Sequence, residues 1–167
     1  TEHLRAWIAG LEDPGPGMSF FNFCAGHDGI GLTPTYGILS DEQRASLAQA
    51  VRQRGGRVSY KSTAEGEIPY ELNINYLSAT TDAALPEPQR AEQFLATQAV
   101  MLSLAGVPGI YIHSLIGSEN RQDGVERTEA NRSINREKLD LETVVAELSD
   151  ETTLRALVFS GYKQLLR

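Results

Sequence analysis

The residues with the clearest chemical potential are His27 and Asp28. The pair directly follows an apolar run, Ser19 to Gly26, and opens a glycine-punctuated loop, Gly29-Ile30-Gly31. In α/β proteins, ligands collect at the carboxyl ends of parallel strands, and in barrels polar residues there are the usual catalytic positions. A carboxylate beside an imidazole could bind sugar hydroxyls or hold a developing positive charge. Asp28-Gly29 fits a plain turn equally well, because Asp tolerates turn geometry and Gly supplies positive φ. Arg136, in Ser133-Ile134-Asn135-Arg136, is a second candidate. It follows a long loop and starts a helix, and on spacing alone it reads as a solvated arginine with Asn135 as cap. Tyr70-Glu71, within Ile-Pro-Tyr-Glu-Leu-Asn, is a third, with a hairpin aromatic packed on the body as its simpler reading. His113 ends a second apolar run and reads first as a satisfied structural histidine.

Several other chemistries find no support. His3, His27 and His113 are scattered, without the ligand spacing of a metal site. Gly26, Gly29 and Gly31 form neither a P-loop nor a dinucleotide fingerprint. Ser114 and Ser118 lack a nucleophile-elbow motif. Cys24 lies inside the first apolar run and reads as a small hydrophobe.

The elements that would position these residues follow from periodicity. Leu4, Trp7, Ile8 and Leu11 recur at helical spacing, and Asp13-Pro14-Gly15-Pro16-Gly17 ends that helix. The run Ser19–Gly26 is nearly unbroken in apolar character, as in a strand covered on both faces of a parallel sheet. Ser40 with Gln43 forms a capping box, Leu47, Ala50 and Val51 continue one helical face, and Gly55-Gly56 closes it. Arg57–Lys61 and Leu72–Tyr76 alternate, so residues 57–78 read as a small hairpin excursion, with Gly66 between its arms. Pro86 opens a long helix whose Phe94, Leu95, Ala99, Leu102 and Leu104 suit burial against a sheet. Val107–His113 is the second buried strand, Ser114 to Thr128 a long polar loop, and helices over 136–148 and 152–166 finish the chain. Alternating buried strands and helices imply a parallel α/β architecture. Two core strands cannot cover both faces and both edges, so other segments or another copy must supply the missing strands.

Composition bounds the rest. The chain has 167 residues, a net charge of −7, 41% hydrophobic and 22% charged residues, and one cysteine. The acidic balance argues against nucleic acid or an anionic membrane as main partner. One cysteine excludes an internal disulfide framework and a Cys-rich zinc module. No apolar run approaches the roughly 20 residues that span a bilayer, and the first residues lack a signal-peptide layout, so a cytoplasmic setting is expected.

Four segments together carry a resemblance. Phe20-Phe21-Asn22-Phe23-Cys24-Ala25-Gly26-His27-Asp28-Gly29-Ile30-Gly31-Leu32 resembles the segment around the seventh barrel strand of the α-amylase superfamily (glycoside hydrolase family 13). Its Gly-Ile-Gly extension is particular to the sucrose phosphorylase-like branch. Glu71-Leu72-Asn73-Ile74-Asn75-Tyr76 resembles that branch's acceptor-site region. Leu102 to Tyr111 resembles the run into the eighth strand, and Arg132-Ser133-Ile134-Asn135-Arg136 its glucose-contacting arginine motif. The resemblance covers nearly the whole chain.

It implies a partial (β/α)8 TIM barrel: one segment, 1–167, comprising the last strands and helices of the catalytic barrel. A whole barrel takes roughly 200 residues or more. It further implies a retaining α-glucoside phosphorylase that moves glucosyl to inorganic phosphate and gives α-glucose 1-phosphate, without a metal or organic cofactor. Asp28 would be the carboxylate that stabilises the transition state. His27 and Arg136 would bind glucose, and Tyr70 and Glu71 would lie in the mobile loop that handles phosphate and acceptor. Nucleophile and acid/base lie upstream in the family, so the chain alone is expected to be inactive. Glu71 stands where a glutamine is usual, and Ile68-Pro69 departs from the loop of sucrose-specific members. A carboxylate facing phosphate or fructose is unfavourable, which points from sucrose toward glucosylglycerate or glucosylglycerol as donor. Hydrolysis or transglucosylation by the same scaffold, and a sugar-binding or assembly module without catalysis, are the alternatives. Exposed strand edges would let copies of the chain pair.

Overall fold

The computed structural model describes residues 2–64 and 66–167. Among the described residues the architecture is mixed α/β, with two small sheets and two separate apolar cores. The first sheet joins the two apolar runs found in the sequence. Strand β1 (Phe21–Asn22) lies parallel to β5 (Val107–Pro108), with Phe21 opposite Val107 and Asn22 opposite Pro108. The Val107 amide donates to the Phe20 carbonyl at 2.8 Å and the Gly109 amide to the Asn22 carbonyl at 2.7 Å. Asn22 adds its side-chain amide, which donates to the Ala105 carbonyl at 2.9 Å.

Both strands are shorter than their apolar runs, and their faces are not covered. Phe21 and Phe23 are 65% and 60% exposed, and Val107 is 56% exposed. Each strand has one strand neighbour among the described residues, and with these side chains exposed the expected two-sided burial is not reached within this chain. Helix α1 (Glu2–Ala9) forms where periodicity predicts a helix, yet Leu4, Trp7 and Ile8 on it, and Leu11 just past its end, remain exposed.

The second sheet lies where the hairpin excursion was expected, with one strand more, but its second arm is Gly66–Asn73 and not Leu72–Tyr76, since Asn75 caps a helix that starts at Tyr76. Strand β4 (Gly66–Asn73) pairs antiparallel with β3 (Arg57–Thr63) on one side and with β2 (Ile30–Gly31) on the other. Pro69 sits opposite Tyr60, at the register shift between Ser59 and Tyr60. A proline offers no amide to a ladder, and a bulge is where a sheet tolerates one. Helix α2 (Asp41–Gln53) starts at the predicted capping box: the Gln43 amide donates to Ser40 Oγ, and the Ser40 amide to Gln43 Oε1. It buries Ala48 and Val51 against Leu32, Leu72 and Ile74. Leu47, expected on that face, is exposed; Arg44 takes the inward position instead, paired with Asp41.

The other core is helix on helix. Helices α3 (Tyr76–Thr80) and α4 (Glu87–Leu102) pack with the last helix, α8 (Leu154–Leu165), around Leu77, Ala91, Phe94, Leu154, Val158 and Tyr162. The long helix therefore packs on α8, not on a sheet. Between β5 and α8 the expected polar loop contains α5 (Ile112–Leu115) and α6 (Gln122–Thr128), followed by a 3-10 turn, Asn131–Asn135. Helix α7 (Leu141–Ser149) begins later than position 136, because Asp140 caps it through the Thr143 amide at 2.9 Å. No helix of the described residues is long and apolar enough to cross a membrane.

Candidate functional site

Asp28 lies in the loop that leaves β1, at its carboxyl end, where α/β folds place ligands. One of its oxygens, Oδ1, takes two guanidinium contacts: Arg132 Nη1 at 2.9 Å and Arg136 Nη2 at 3.1 Å. His27 Nε2 stands 3.6 Å from the same oxygen, with a largely exposed ring. Arg136 also donates from Nε to the His27 carbonyl at 2.7 Å. The three residues picked out as His27, Asp28 and Arg136 are thus brought together. The arginine comes from the end of the 3-10 turn, however, and not from a helix start.

The loop itself is pinned from two sides. Buried Asn135 donates its side-chain amide to the Gly26 carbonyl at 2.7 Å and to the Asp28 carbonyl at 3.0 Å. Tyr111, just past β5, donates its hydroxyl to the Asn135 carbonyl at 3.0 Å. On the other side Gly29 presses on β4. A Cβ at this position would meet the Leu72 carbonyl oxygen at 2.5 Å and Glu71 Cγ at 2.8 Å, so the close approach needs glycine.

Glu71 and Tyr70 sit in β4, an ordered strand, and not in a loop. Glu71 is buried, and its side chain faces Arg132. Arg132 Nη2 lies 3.0 Å from Oε1 and Nε 3.2 Å from Oε2, a bidentate pair. The Gly29 amide at 3.3 Å and the Asn73 side-chain amide at 2.9 Å complete the set around the carboxylate. The Glu71 carboxylate, helped by Asp28, holds the Arg132 guanidinium above its ordinary pKa. Tyr70 is half-buried beside it; its backbone carbonyl accepts from the Leu32 amide at 2.8 Å. His113 is not part of this cluster. It lies in α5, buried, with Nδ1 3.1 Å from Ser118 Oγ, which fits the structural reading. No group of three or more His, Cys, Asp or Glu among the described residues is placed to hold a metal ion.

A groove of about 410 Å³ opens at this end of the parallel pair, lined by Phe21, Phe23, His27, Asp28, Ile110 and Tyr111. Aromatic walls with a few convergent polar groups suit a small polar ligand such as a sugar. Arg132 and Asn135 are the site residues that sequence reasoning missed. Both stand in the Arg-Ser-Ile-Asn-Arg segment, and the signal was a second arginine four positions before Arg136.

The fold can be matched to a solved one. The crystal structure of sucrose 6F-phosphate phosphorylase from Thermoanaerobacter thermosaccharolyticum superposes with a TM-score of 0.75 over 97% of this chain and 32% of that one, at 21% identity. Sequence relatives are nearer. The glucosylglycerate phosphorylase of Spirochaeta thermophila is 56% identical over 99% of this chain, and that of Escherichia coli 39% identical over 99%. No family model matches the chain. Along nearly its whole length this chain is similar in sequence to these glucosylglycerate phosphorylases, in line with the resemblance carried by its four motifs. It spans less than a third of the two sequence relatives, 28% and 30% of their lengths.

Proposed function

We propose that the chain is the closing part of a (β/α)8 barrel in a retaining α-glucoside phosphorylase, with glucosylglycerate as the donor. In this reading β1 and β5 are neighbouring barrel strands, and the groove beyond them is one side of the sugar site. The observation that carries it is the grip of Arg132 and Arg136 on Asp28, at the mouth of a groove walled by aromatic rings. Relatives that bear the name glucosylglycerate phosphorylase, at 56% and 39% identity, support the choice of donor.

The chemistry follows from charge. Retaining cleavage of a glucoside passes through an oxocarbenium-like transition state, flanked by a nucleophilic carboxylate and an acid/base carboxylate. Those two groups would come from parts of the protein outside this segment. Asp28 would face the cationic sugar ring and stabilise it, in a site where preorganised charge acts without reorienting. Arg136 and His27 would hold sugar hydroxyls beside it. Tyr70 would line the acceptor side, where phosphate attacks the glucosyl intermediate. Glu71, buried on Arg132, is better suited to support than to contact with substrate.

The test is phosphate-dependent formation of glucose 1-phosphate by the full-length protein, offered glucosylglycerate and sucrose in parallel. Product from glucosylglycerate in preference to sucrose is expected. Free glucose formed without need for phosphate would move the protein to the hydrolases, and turnover of neither donor would refute the reading.

A further inference from the structure

We infer that Glu71 and Arg132 form a positioning unit that fixes the Asp28 carboxylate, and that the β3–β4 hairpin is thereby part of the catalytic apparatus. The inference rests on the reading of Asp28 as the transition-state carboxylate.

Arg132 uses three nitrogens on two carboxylates. Nε and Nη2 go to Glu71, and Nη1 goes to Asp28. A guanidinium is planar and rigid, so the Glu71 pair sets the direction in which Nη1 points. Glu71 is itself immobilised. It is 5% exposed, accepts from the Gly29 amide and the Asn73 side chain, and stands on a strand paired on both sides. Asn73 is held in turn: Ser59 Oγ donates to its Oδ1 at 2.6 Å, and Asn131 Nδ2 donates to Ser59 Oγ at 3.2 Å. The network therefore closes on itself. It runs from the 3-10 turn through β3 and β4 to Arg132 in the same turn, and from there to Asp28.

The exposure of the partners says what the network does. Arg132 and Asp28 have side chains 44% and 45% exposed. Ion pairs that open to solvent contribute little to stability. Burying Glu71 behind them is poorly explained as a stability device, whereas a fixed carboxylate direction is what electrostatic catalysis requires. Glu71 acts through Arg132 and is a positioning residue.

The experiment is steady-state phosphorolysis by the full-length protein carrying Glu71→Gln, Arg132→Lys, Asn73→Ala or Asp28→Asn, and by Asp28→Asn combined with each of the others. Glu71→Gln removes the charge, Arg132→Lys removes the fork, and Asn73→Ala loosens Glu71 with both charges in place. The expected result is a kcat about 10- to 100-fold lower for the first two and a smaller fall for Asn73→Ala, with the donor KM within about threefold. On an Asp28→Asn background the same changes should cost nothing further. Full kcat in Glu71→Gln and Arg132→Lys, or losses that add fully to Asp28→Asn, would overturn the inference. A lowered melting temperature with kcat retained would equally overturn it, since that is the mark of a structural role alone. If Asp28→Asn itself turns over normally, the reading of the site has failed first, and the two failures are told apart.

Discussion

The side-chain amide of Asn135 donates to the backbone carbonyl of Asp28 at 3.0 Å, across 107 residues of sequence. The same nitrogen reaches the Gly26 carbonyl, and Asn75 Nδ2 approaches Asn135 Oδ1 at 3.4 Å. One buried side chain thus sets the path of the loop on which His27 and Asp28 ride. Truncation leaves two loop carbonyls without their donor, at a cost of about 1–3 kcal/mol. Asn135→Ala should lower the melting temperature and weaken turnover together. Asn135→Asp keeps the shape but sets a carboxylate against two carbonyls, and should be the worse of the two. Thermal unfolding of both variants beside the parent checks the order; an Asn135→Asp protein as stable as the parent would refute it.

Gly29 offers a second hold on the same loop, by close approach. Its added Cβ would collide with backbone, at Leu72, and with the first carbons of Glu71, neither of which can swing aside. Overpacking of this kind costs about 1–3 kcal/mol. Gly29→Ala should push the loop away from β4, and with it the Asp28 carboxylate from Arg132. A crystal structure of the variant with the 2.9 Å contact intact would contradict this.

What could be read in the sequence was mostly local. The capping box at Ser40 and Gln43 spans three residues and forms as expected. The two apolar runs were legible as strands of a parallel sheet, and β1 and β5 do pair in parallel. Strand β2 was not legible: it is two residues long, and its partners Leu72 and Glu71 lie far along the chain. The pairing of Arg132 was hidden for the same reason. Its partner Glu71 is 61 residues away and its own segment is a 3-10 turn, so no periodicity marks it. Glu71 was singled out, but residue type cannot tell a carboxylate aimed at a ligand from one buried on an arginine. The run holding β1 was read as a strand covered on both faces, yet Phe21 and Phe23 are exposed, since periodicity marks an apolar face without showing what packs on it.

The pH dependence of stability should carry a contribution from His113. Burial lowers its pKa from the ordinary 6.5; Glu137 opposes this and Arg155 reinforces it. The unfolded chain therefore binds a proton at a pH where the folded chain does not. Stability tied to His113 is complete above about 6.5 and is lost as pH falls from there through the lowered folded value. His113→Gln keeps a group able to meet Ser118 and removes the titration. Its unfolding free energy, relative to the parent, should improve as pH drops below 6.5, with the difference constant above. Parallel stability curves for parent and variant across this range would show that His113 does not contribute.

Arg136 is the residue whose loss should separate function from folding. Its side chain is 43% exposed, so its pair with Asp28 adds little to stability. It nevertheless spans two points, the His27 carbonyl and the Asp28 carboxylate. A lysine can keep the charge but cannot reach both with a fixed fork. Arg136→Lys in the full-length protein should therefore melt close to the parent. Its kcat/KM for phosphorolysis should fall about 10- to 100-fold, with a share of the loss in the donor KM, because this arginine is read as touching sugar while Arg132 is not. That split is the informative readout. If Arg136→Lys and Arg132→Lys lose kcat alone and to the same extent, both arginines only hold Asp28, and the sugar contact assigned to Arg136 is wrong.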